Sequence, residues 1–363
     1  MRKYFVFYIL SVFLILAIFI QISYMAVAKA EQPIISIPDP AEDDKGPGYY
    51  GYPTNAVFGS GAFDIIKLEI YVTDTSVVFK TYFRNLSGNP WNGPNGFSLQ
   101  YVQIYVRTTQ RGLPARADTA GLGVYLRPDY SWHFALLISP GWGDSPLPAG
   151  EKPALVYANG TIVMQNDVFK IYADATNNAI VAEVSKSLLY DVDNIAKWSI
   201  IVFATSWAGE NPDRIRSLSV NQGEWVLWAA TDPAYLTRIA KAITFNIAPK
   251  AMDMAIYSSE YPNGITADEQ YRILDSYDPD KGIPAMVPAL PSVALTTTVT
   301  QTIFSTIAKT ETQLMTQTQI LTYTSTITTT QTSTISTTDY TTTIILGIAL
   351  LVIGIVIGYF IRR

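Results

Sequence analysis

The chain has 363 residues and no cysteine, with 25 basic and 30 acidic side chains. Five of the basic residues lie in the two end segments, which carry no acidic residue, so 20 basic residues face all 30 acidic ones between them and leave a net charge near −10. This balance excludes the basic footprint that nucleic-acid binding requires. Without disulfides, stability must come from a buried core, which roughly 260 residues can build.

The N-terminus has the pattern of a secretory signal. Arg2 and Lys3 precede the apolar run Tyr4–Ile20, and Ala28-Lys29-Ala30 fits a small-residue cleavage site. We predict that residues 1–30 are a signal peptide. Because the apolar run is long, an uncleaved membrane anchor is the alternative. In either case the segment that follows is predicted to be exported.

Residues 31–291 form the predicted globular domain, and their pattern is mostly that of β-strands. Apolar and polar residues alternate over several segments, which Gly, Pro, Asn and Asp clusters separate. The spacing predicts strands at Phe63–Val72, Val77–Phe83, Phe97–Val106, Trp132–Ile138, Ala154–Tyr157, Phe169–Ala173, Ile180–Val184 and Trp198–Thr205. Short helices are predicted at Pro233–Ala242 and Ala267–Leu274, with Asp232 and Thr266 as N-caps. We therefore expect a mainly β fold, a β-sandwich or jelly roll with a few short helices.

Composition changes sharply in residues 292–343. Between Thr296 and Thr343, 23 of the 48 residues are threonine, and there are too few large apolar side chains for a core. We predict an extended, O-glycosylated threonine-rich stalk. The alternative is an oligomeric helix, because Ile307, Leu314 and Leu321 recur every seven residues.

Residues 344–361 are a continuous uncharged run, followed by Arg362 and Arg363. As a helix this run is about 27 Å long, close to the thickness of a hydrocarbon core. The paired arginines predict that residues 362–363 are a cytoplasmic tail. We expect a single-pass cell-membrane protein whose N-terminal domain is extracellular. The alternative for this run is a buried core helix.

An acidic loop opens the predicted domain. Asp39, Glu42, Asp43 and Asp44 lie within six residues, in a segment that also contains Gly and Pro. Calcium takes six to eight oxygen ligands and suits such a loop, although a solvated acidic turn would have the same local sequence. Asp64, at the start of a predicted strand, is a further candidate ligand whose alternative role is in a turn.

The same segment carries a family resemblance. The run from Asp39 through Tyr50-Gly-Tyr-Pro to Asp64, and the later run Asn89–Tyr105, resemble the C-terminal binding module of glucodextranase. Similar modules occur in amylopullulanase-type enzymes and in archaeal surface proteins with threonine-rich stalks. The resemblance implies a DOMON-like β-sandwich, a family whose members bind sugars or haem, and a metal-binding role for Asp39, Asp43 and Asp44. One departure is Glu42, because the family usually has Gly before its Asp-Asp pair.

Two tryptophans in loops are candidate sugar platforms. Trp91 lies in a turn with Asn92 and Asn95 as candidate polar contacts, and Trp142 lies between two glycines. Their alternative role is that of buried anchors in tight loops. Four other tryptophans lie in strand-like runs and are predicted to be in the core, and Trp207 stays undecided. The predicted core set is Trp132, Trp198, Trp225 and Trp228.

Three further features complete the sequence. Asn85 and Asn159 begin glycosylation sequons. His133 is the only histidine, so a catalytic triad is not indicated, and a place in the core or at a strand edge is expected. Haem ligation would require a methionine partner for His133, and no spacing supports one. We find no catalytic motif and expect that the protein is not an enzyme. The alternative is a polysaccharide hydrolase, because two catalytic acids that are far apart in sequence can converge in the fold.

Two function classes follow. The first is a membrane-anchored extracellular binding module for cell-envelope or environmental polysaccharide. The second is a structural component of the surface layer or envelope, whose partners are other surface proteins and which has no sugar ligand. A haem-binding electron-transfer protein of the DOMON type is a remote third class.

Overall fold

A computed structural model describes residues 32–229 and 233–289 and the two short paired strands Thr302–Ile303 and Met315–Thr316. The predicted signal peptide, nearly all of the stalk and the run 344–361 lie outside the described residues, so these assignments stay predictions. Among the helices of the described ranges, none is both long and apolar enough to cross a membrane.

The described chain is mainly β. Its strands, in chain order, are β1 (Ile35–Pro38), β2 (Tyr50–Gly51), β3 (Ile65–Val72), β4 (Ser76–Phe83), β5 (Gln100–Arg107), β6 (Val124–Leu126), β7 (Phe134–Ile138), β8 (Ala154–Tyr157), β9 (Ile162–Met164), β10 (Phe169–Asp174), β11 (Ala179–Ser185), β12 (Ser199–Ser206), β13 (Leu218–Ser219), β14 (Leu227–Ala229), β15 (Asp253–Tyr257), β16 (Ala285–Val287), β17 (Thr302–Ile303) and β18 (Met315–Thr316). The helices are α1 (Pro233–Thr244) and α2 (Ala267–Leu274), with short 3-10 turns at Pro128–Tyr130, Lys186–Leu188 and Val192–Lys197.

Two antiparallel sheets form the body of the domain. One has five strands in the order β1-β3-β4-β11-β10, and the other has six in the order β15-β12-β5-β7-β8-β9. The eight strands predicted from alternation are present, each within about three residues of the predicted bounds. The predictions of a mainly β fold and of two short helices are confirmed.

The six-stranded sheet is buried on both faces, which explains why β5 is buried over nearly its whole length. Val102 and Ile104 belong to a core that the two large sheets share, together with residues such as Phe79 of β4. Tyr101 and Tyr105 alternate with them and point into a second core on the opposite face. Loops, the short sheets β13-β14-β2 and β16-β6, and both helices cover that second face.

Helix α2 begins where the sequence predicts. The Thr266 side chain accepts a hydrogen bond from the Glu269 backbone N–H at 3.3 Å, as an N-cap residue does. The buried Gln270 of this helix donates to the backbone oxygen of Asp43 at 2.7 Å and accepts from the Met254 N–H at 2.9 Å. This amide therefore ties the acidic loop after β1 to strand β15.

Candidate functional site

The acidic residues of the opening loop converge in the structure. Asp39, Asp43, Asp44 and Asp64 are all buried, although they lie in different turns between β1 and β3. A fifth carboxylate, that of Asp253 at the start of β15, joins them and is fully buried. One carboxylate oxygen from each of Asp39, Asp43 and Asp253 lies within 4.8 Å of the other two.

Asp44 and Asp64 have protein partners. The Tyr52 hydroxyl donates to Asp44. Asp64 Oδ2 accepts the Glu42 backbone N–H at 2.9 Å and lies 2.7 Å from Arg84 Nε. The four aspartates named from the sequence thus differ in their partners, and the three carboxylate oxygens that converge belong to Asp39, Asp43 and Asp253. Asp253 was missed, and the signal that could have found it is an acid inside the apolar run Ala251–Ile256.

Burial and mutual repulsion disfavour the charged forms of these acids. Burial, together with the nearby Asp64 carboxylate, raises the pKa of Asp43 to about 7. Burial raises the pKa of Asp64 to about 6. Burial and neighbouring carboxylates hold the pKa values of Asp39 and Asp253 well above the usual range of an aspartate. A proton or a bound cation must therefore accompany this cluster.

Glu42 occupies a position where the family usually has glycine, and its backbone conformation is one that favours glycine. Its φ of 71° lies in the left-handed region, which glycine adopts without steric cost. Here a glutamate takes that conformation, and its carboxylate pairs with Arg84 at 2.7 Å. Beside this loop is a cavity of about 450 Å³, and its lining includes Asp44, Tyr52 and Phe58.

The two tryptophans named as candidate sugar platforms line a second cavity, of about 390 Å³. Trp91 and Trp142, both half-buried, line it, as do Trp207 and the 46% exposed Trp225. Glu151, Glu210 and Arg216 add charged groups to the same wall. We name this cavity, lined by four tryptophans and these three charged residues, the aromatic groove.

Ring packing fixes the shape of the aromatic groove. The ring centroids of Trp91 and Trp225 are 6.3 Å apart, and Phe58 packs edge-on against each of them at 6.0 Å. The guanidinium of Arg216 lies over the Phe58 ring at 4.8 Å. Trp207 packs edge-on against Tyr101 of β5 at 5.5 Å. The groove is thus connected through its rings to the core beneath it.

Asn92 and Asn95 do not line the groove. Asn92 is exposed and has a left-handed φ of 52°. Asn95 is buried, and its side-chain amide bonds the Ser139 carbonyl at 3.0 Å and the Gln165 side chain at 3.1 and 2.8 Å. Asn95 therefore links loops near the groove through hydrogen bonds.

The loop of Trp142 depends on the two glycines that flank it. Gly141 and Gly143 have φ values of 96° and 68°, and a Cβ atom on Gly141 would lie 2.6 Å from the Asn95 amide nitrogen. Lys152 Nζ also donates to the Gly141 carbonyl at 2.7 Å. These contacts hold Trp142 at the edge of the groove.

The core predictions for the other tryptophans are confirmed in part. Trp132 and Trp198 are buried as predicted. Trp228 lies in β14, is half-buried and donates to the Tyr52 carbonyl at 2.8 Å. The core assignment of Trp225 is wrong, because this residue precedes β14 rather than lying in a strand and is one of the more exposed large side chains.

Both sequon asparagines, Asn85 and Asn159, are exposed. Asn159 lies in the tight turn between β8 and β9, where its side chain accepts the Thr161 N–H at 2.9 Å. The structure leaves both positions accessible to a modifying enzyme, and their glycosylation stays a prediction.

His133 is buried at the other end of the six-stranded sheet, as the sequence predicts for a strand-edge residue. Its Nδ1 lies 3.0 Å from the Thr108 hydroxyl, and burial together with Arg107 lowers its pKa. It borders a polar cavity of about 440 Å³ that Arg111 and Lys197 also line. The described residues that line this cavity include no methionine.

Comparison with known proteins agrees with this architecture. Residues 34–289 match a family described as the C-terminal binding module, SLH-like, of glucodextranase. No curated protein matches the chain. The matched segment covers both large sheets, the acidic cluster and the aromatic groove, and the family description is that of a binding module rather than a catalytic domain. The chain belongs to the family of glucodextranase C-terminal binding modules.

Proposed function

We propose that this protein is a carbohydrate-binding module that holds polysaccharide in the aromatic groove. The observation that carries the proposal is the convergence of Trp91, Trp142, Trp207 and Trp225 on one open cavity with carboxylates at its wall. Flat apolar rings cover the faces of sugar rings, and carboxylates accept hydrogen bonds from hydroxyl groups. Membership of a family of binding modules supports the same function.

The ligand class we propose is an α-glucan or a glycan of the cell envelope. Glucodextranase, whose name the family carries, points to α-glucans as the first compounds to test. Dextran, pullulan and soluble starch cover the common α-linkages, and an isolated cell-wall fraction covers envelope glycans. A titration of the full-length chain in mild detergent, followed by tryptophan fluorescence and calorimetry, measures each affinity.

Trp225→Ala is the decisive variant. Trp225 is 46% exposed, so its truncation removes groove surface at little cost to the core. Loss of a central aromatic contact typically weakens binding by about 2 kcal/mol, or about thirtyfold in Kd. Tyr172→Ala is the matched control, because Tyr172 is 43% exposed on β10 of the other sheet. Equal affinity of the Trp225→Ala and Tyr172→Ala variants, or no binding of the parent protein to any glycan, would refute the proposal.

The family description also includes the term SLH-like, which keeps a scaffold in the surface layer as a second candidate. A scaffold would assemble with itself or with other envelope proteins in the absence of sugar. Sedimentation of the purified chain with sugar-depleted envelope proteins separates the two candidates. Co-sedimentation that Trp225→Ala leaves unchanged would favour the scaffold.

We also propose that the module is tethered at the cell surface through residues 344–361. The proposal is supported by the uncharged run and the paired arginines that follow it. A chain that ends at residue 343 should be released into the medium, whereas the full chain should remain with membranes after alkaline carbonate washing. Release of both the full chain and the shortened chain would contradict the proposal that residues 344–361 tether the module.

A further inference from the structure

Among the described residues, five buried carboxylate oxygens have no hydrogen-bond partner. They are both oxygens of Asp39, both oxygens of Asp43 and Oδ1 of Asp64. Asp39 is 8% exposed and Asp43 is 1% exposed, so bulk water does not solvate them. Most buried polar atoms in folded proteins are hydrogen-bonded, and an unpartnered carboxylate is the costliest exception.

The nearby donors are engaged elsewhere. Arg84 pairs with Asp64 and Glu42, and Gln270 donates to the backbone oxygen of Asp43 rather than to its carboxylate. Asp253 is better satisfied, because its Oδ2 accepts the Ile65 N–H at 2.6 Å and its Oδ1 accepts the Met254 N–H at 2.8 Å. The backbone thus orients Asp253, while the lone pairs of Asp39 and Asp43 are left for another partner.

The separation of these oxygens suits one cation. Calcium–oxygen distances are about 2.3–2.6 Å, so two oxygens on one ion are at most about 5 Å apart. The three oxygens of Asp39, Asp43 and Asp253 satisfy this limit, since each lies within 4.8 Å of the others. All three are hard carboxylate ligands, a set that calcium or magnesium prefers to zinc or copper.

We propose that Asp39, Asp43 and Asp253 bind one calcium ion. Asp39 and Asp43 lie in the loop that follows β1, and Asp253 begins β15, so the ion links this loop to a strand that is distant in sequence. Magnesium keeps most of its water and demands octahedral geometry, so a dry site with three acids favours calcium over magnesium. The site is separate from the aromatic groove and stands whether or not that groove binds sugar.

The test uses the full-length chain in mild detergent, after treatment with EGTA and removal of the chelator. Calorimetric titration with CaCl₂ should give one site per chain, and MgCl₂ should bind more weakly. Calcium at a hundredfold excess over Kd should raise Tm by roughly 5–10 °C. If the stripped chain is folded by circular dichroism yet shows neither binding heat nor a shift in Tm, the proposal is wrong.

Two single variants sharpen the test. Asp39→Asn and Asp253→Asn should each weaken calcium binding by roughly tenfold or more, since affinity follows the number of charged ligands. Asp39→Asn removes one of several repelling buried charges, so without calcium it should unfold at the same temperature as the parent or at a higher one. If Asp39 were instead an aspartate that stabilises the fold through hydrogen bonds, its substitution would lower the unfolding temperature without calcium. A variant that unfolds earlier without calcium and keeps the full calcium shift would overturn the assignment.

The matched control is Asp280→Asn. Asp280 lies in the turn Asp278–Gly282, whose sequence begins like a calcium loop, but its side chain is 81% exposed and pairs with Lys241. This variant should bind calcium as the parent does. Loss of binding in the Asp280 variant with retention in the Asp39 and Asp253 variants would place the site elsewhere and reject the proposal.

Discussion

Arg216 offers a direct test of how the aromatic groove is held in place. Arg216 is 4% exposed, and its guanidinium donates to the Ser206 hydroxyl and the Trp207 carbonyl, both at 2.9 Å, and to the Trp225 carbonyl at 3.2 Å. It also lies over the Phe58 ring. One buried cation therefore joins the two chain segments that carry Trp207 and Trp225.

We expect Arg216→Met to destabilise the protein by about 3 kcal/mol. Methionine keeps much of the side-chain length over Phe58 but leaves three acceptors without a donor, at about 1 kcal/mol each. Urea unfolding followed by tryptophan fluorescence measures this change. Because the segments around Trp207 and Trp225 are no longer joined, glycan affinity should also fall by about tenfold, or about 1.4 kcal/mol.

Arg116→Met is the control for this variant. Arg116 is also stacked on a ring, that of Trp132 at 5.0 Å, but its side chain is 43% exposed and pairs with the exposed Asp118. Surface pairs of this kind contribute about 0–1 kcal/mol, so its removal should cost less than about 1 kcal/mol. If the two arginine variants unfold at the same urea concentration, Arg216 does not hold the Trp207 and Trp225 segments together.

Two further predictions concern backbone strain and pH. Glu42→Gly should stabilise the protein by up to about 1 kcal/mol, because glycine relieves a left-handed conformation and the Arg84 pair that is lost is a weak surface pair. Asp191→Gly, also left-handed at φ 57°, should destabilise the protein, because the Asp191 carboxylate accepts three hydrogen bonds from Thr109 and Asn194. Thermal unfolding that places both variants on the same side of the parent would contradict this. The pKa of His133, lowered by burial and by Arg107, should fall below the ordinary value of about 6.5. Folding then favours the neutral ring, so the contribution of His133 to stability is present above pH about 6.5 and is lost as pH falls. A proton NMR titration reads this residue without ambiguity because it is the only histidine, and a midpoint at or above that of the urea-unfolded chain would refute the assignment.

The periodicity of the sequence was sufficient to predict the long strands, for a physical reason. β4 alternates between buried and less buried positions over most of Ser76–Phe83, as a strand with one face on the core does. β5 is harder to predict from alternation, because both of its faces are covered and nearly all of its residues are buried. It was still predicted because Gln100 and Gln103 interrupt its apolar run, and in the structure both glutamine amides bond backbone carbonyls of neighbouring loops.

The short strands could not be predicted in the same way. β13 and β14 have two and three residues and pair in parallel, which is a consequence of tertiary packing and not of local alternation. Trp225 was also mispredicted from local sequence. An aromatic residue close to a strand is predicted to be in the core when the strand boundary is unknown. The exposure of Trp225 depends on Phe58, a residue more than 160 positions away, against which it packs.

The acidic cluster shows what a local pattern supplies and what it omits. The five carboxylates from Asp39 to Asp64 lie close in sequence, and their proximity in space follows from the short chain that joins them. Asp253 lies more than 180 residues away, and only the antiparallel pairing of β15 with β12 brings it to the same place. Since the ligand that completes a site can come from any strand end, spacing along the chain cannot define the full set.

The topology places both candidate sites at one end of the six-stranded sheet. β5 starts there, β7 and β12 end there and β15 starts there, because Val102 pairs with Ile138 and Ala204, and Ala204 pairs with Asp253. The loops at this end carry Trp91, Trp142 and Trp207, and the acidic cluster lies at the same end beside the start of β15. Phe58 connects the two, since it lies in the segment between Asp43 and Asp64 and packs against Trp91 and Trp225. An ion that fixes the acidic loop would therefore also restrict the wall of the groove, so that calcium should add to glycan affinity without contacting the glycan.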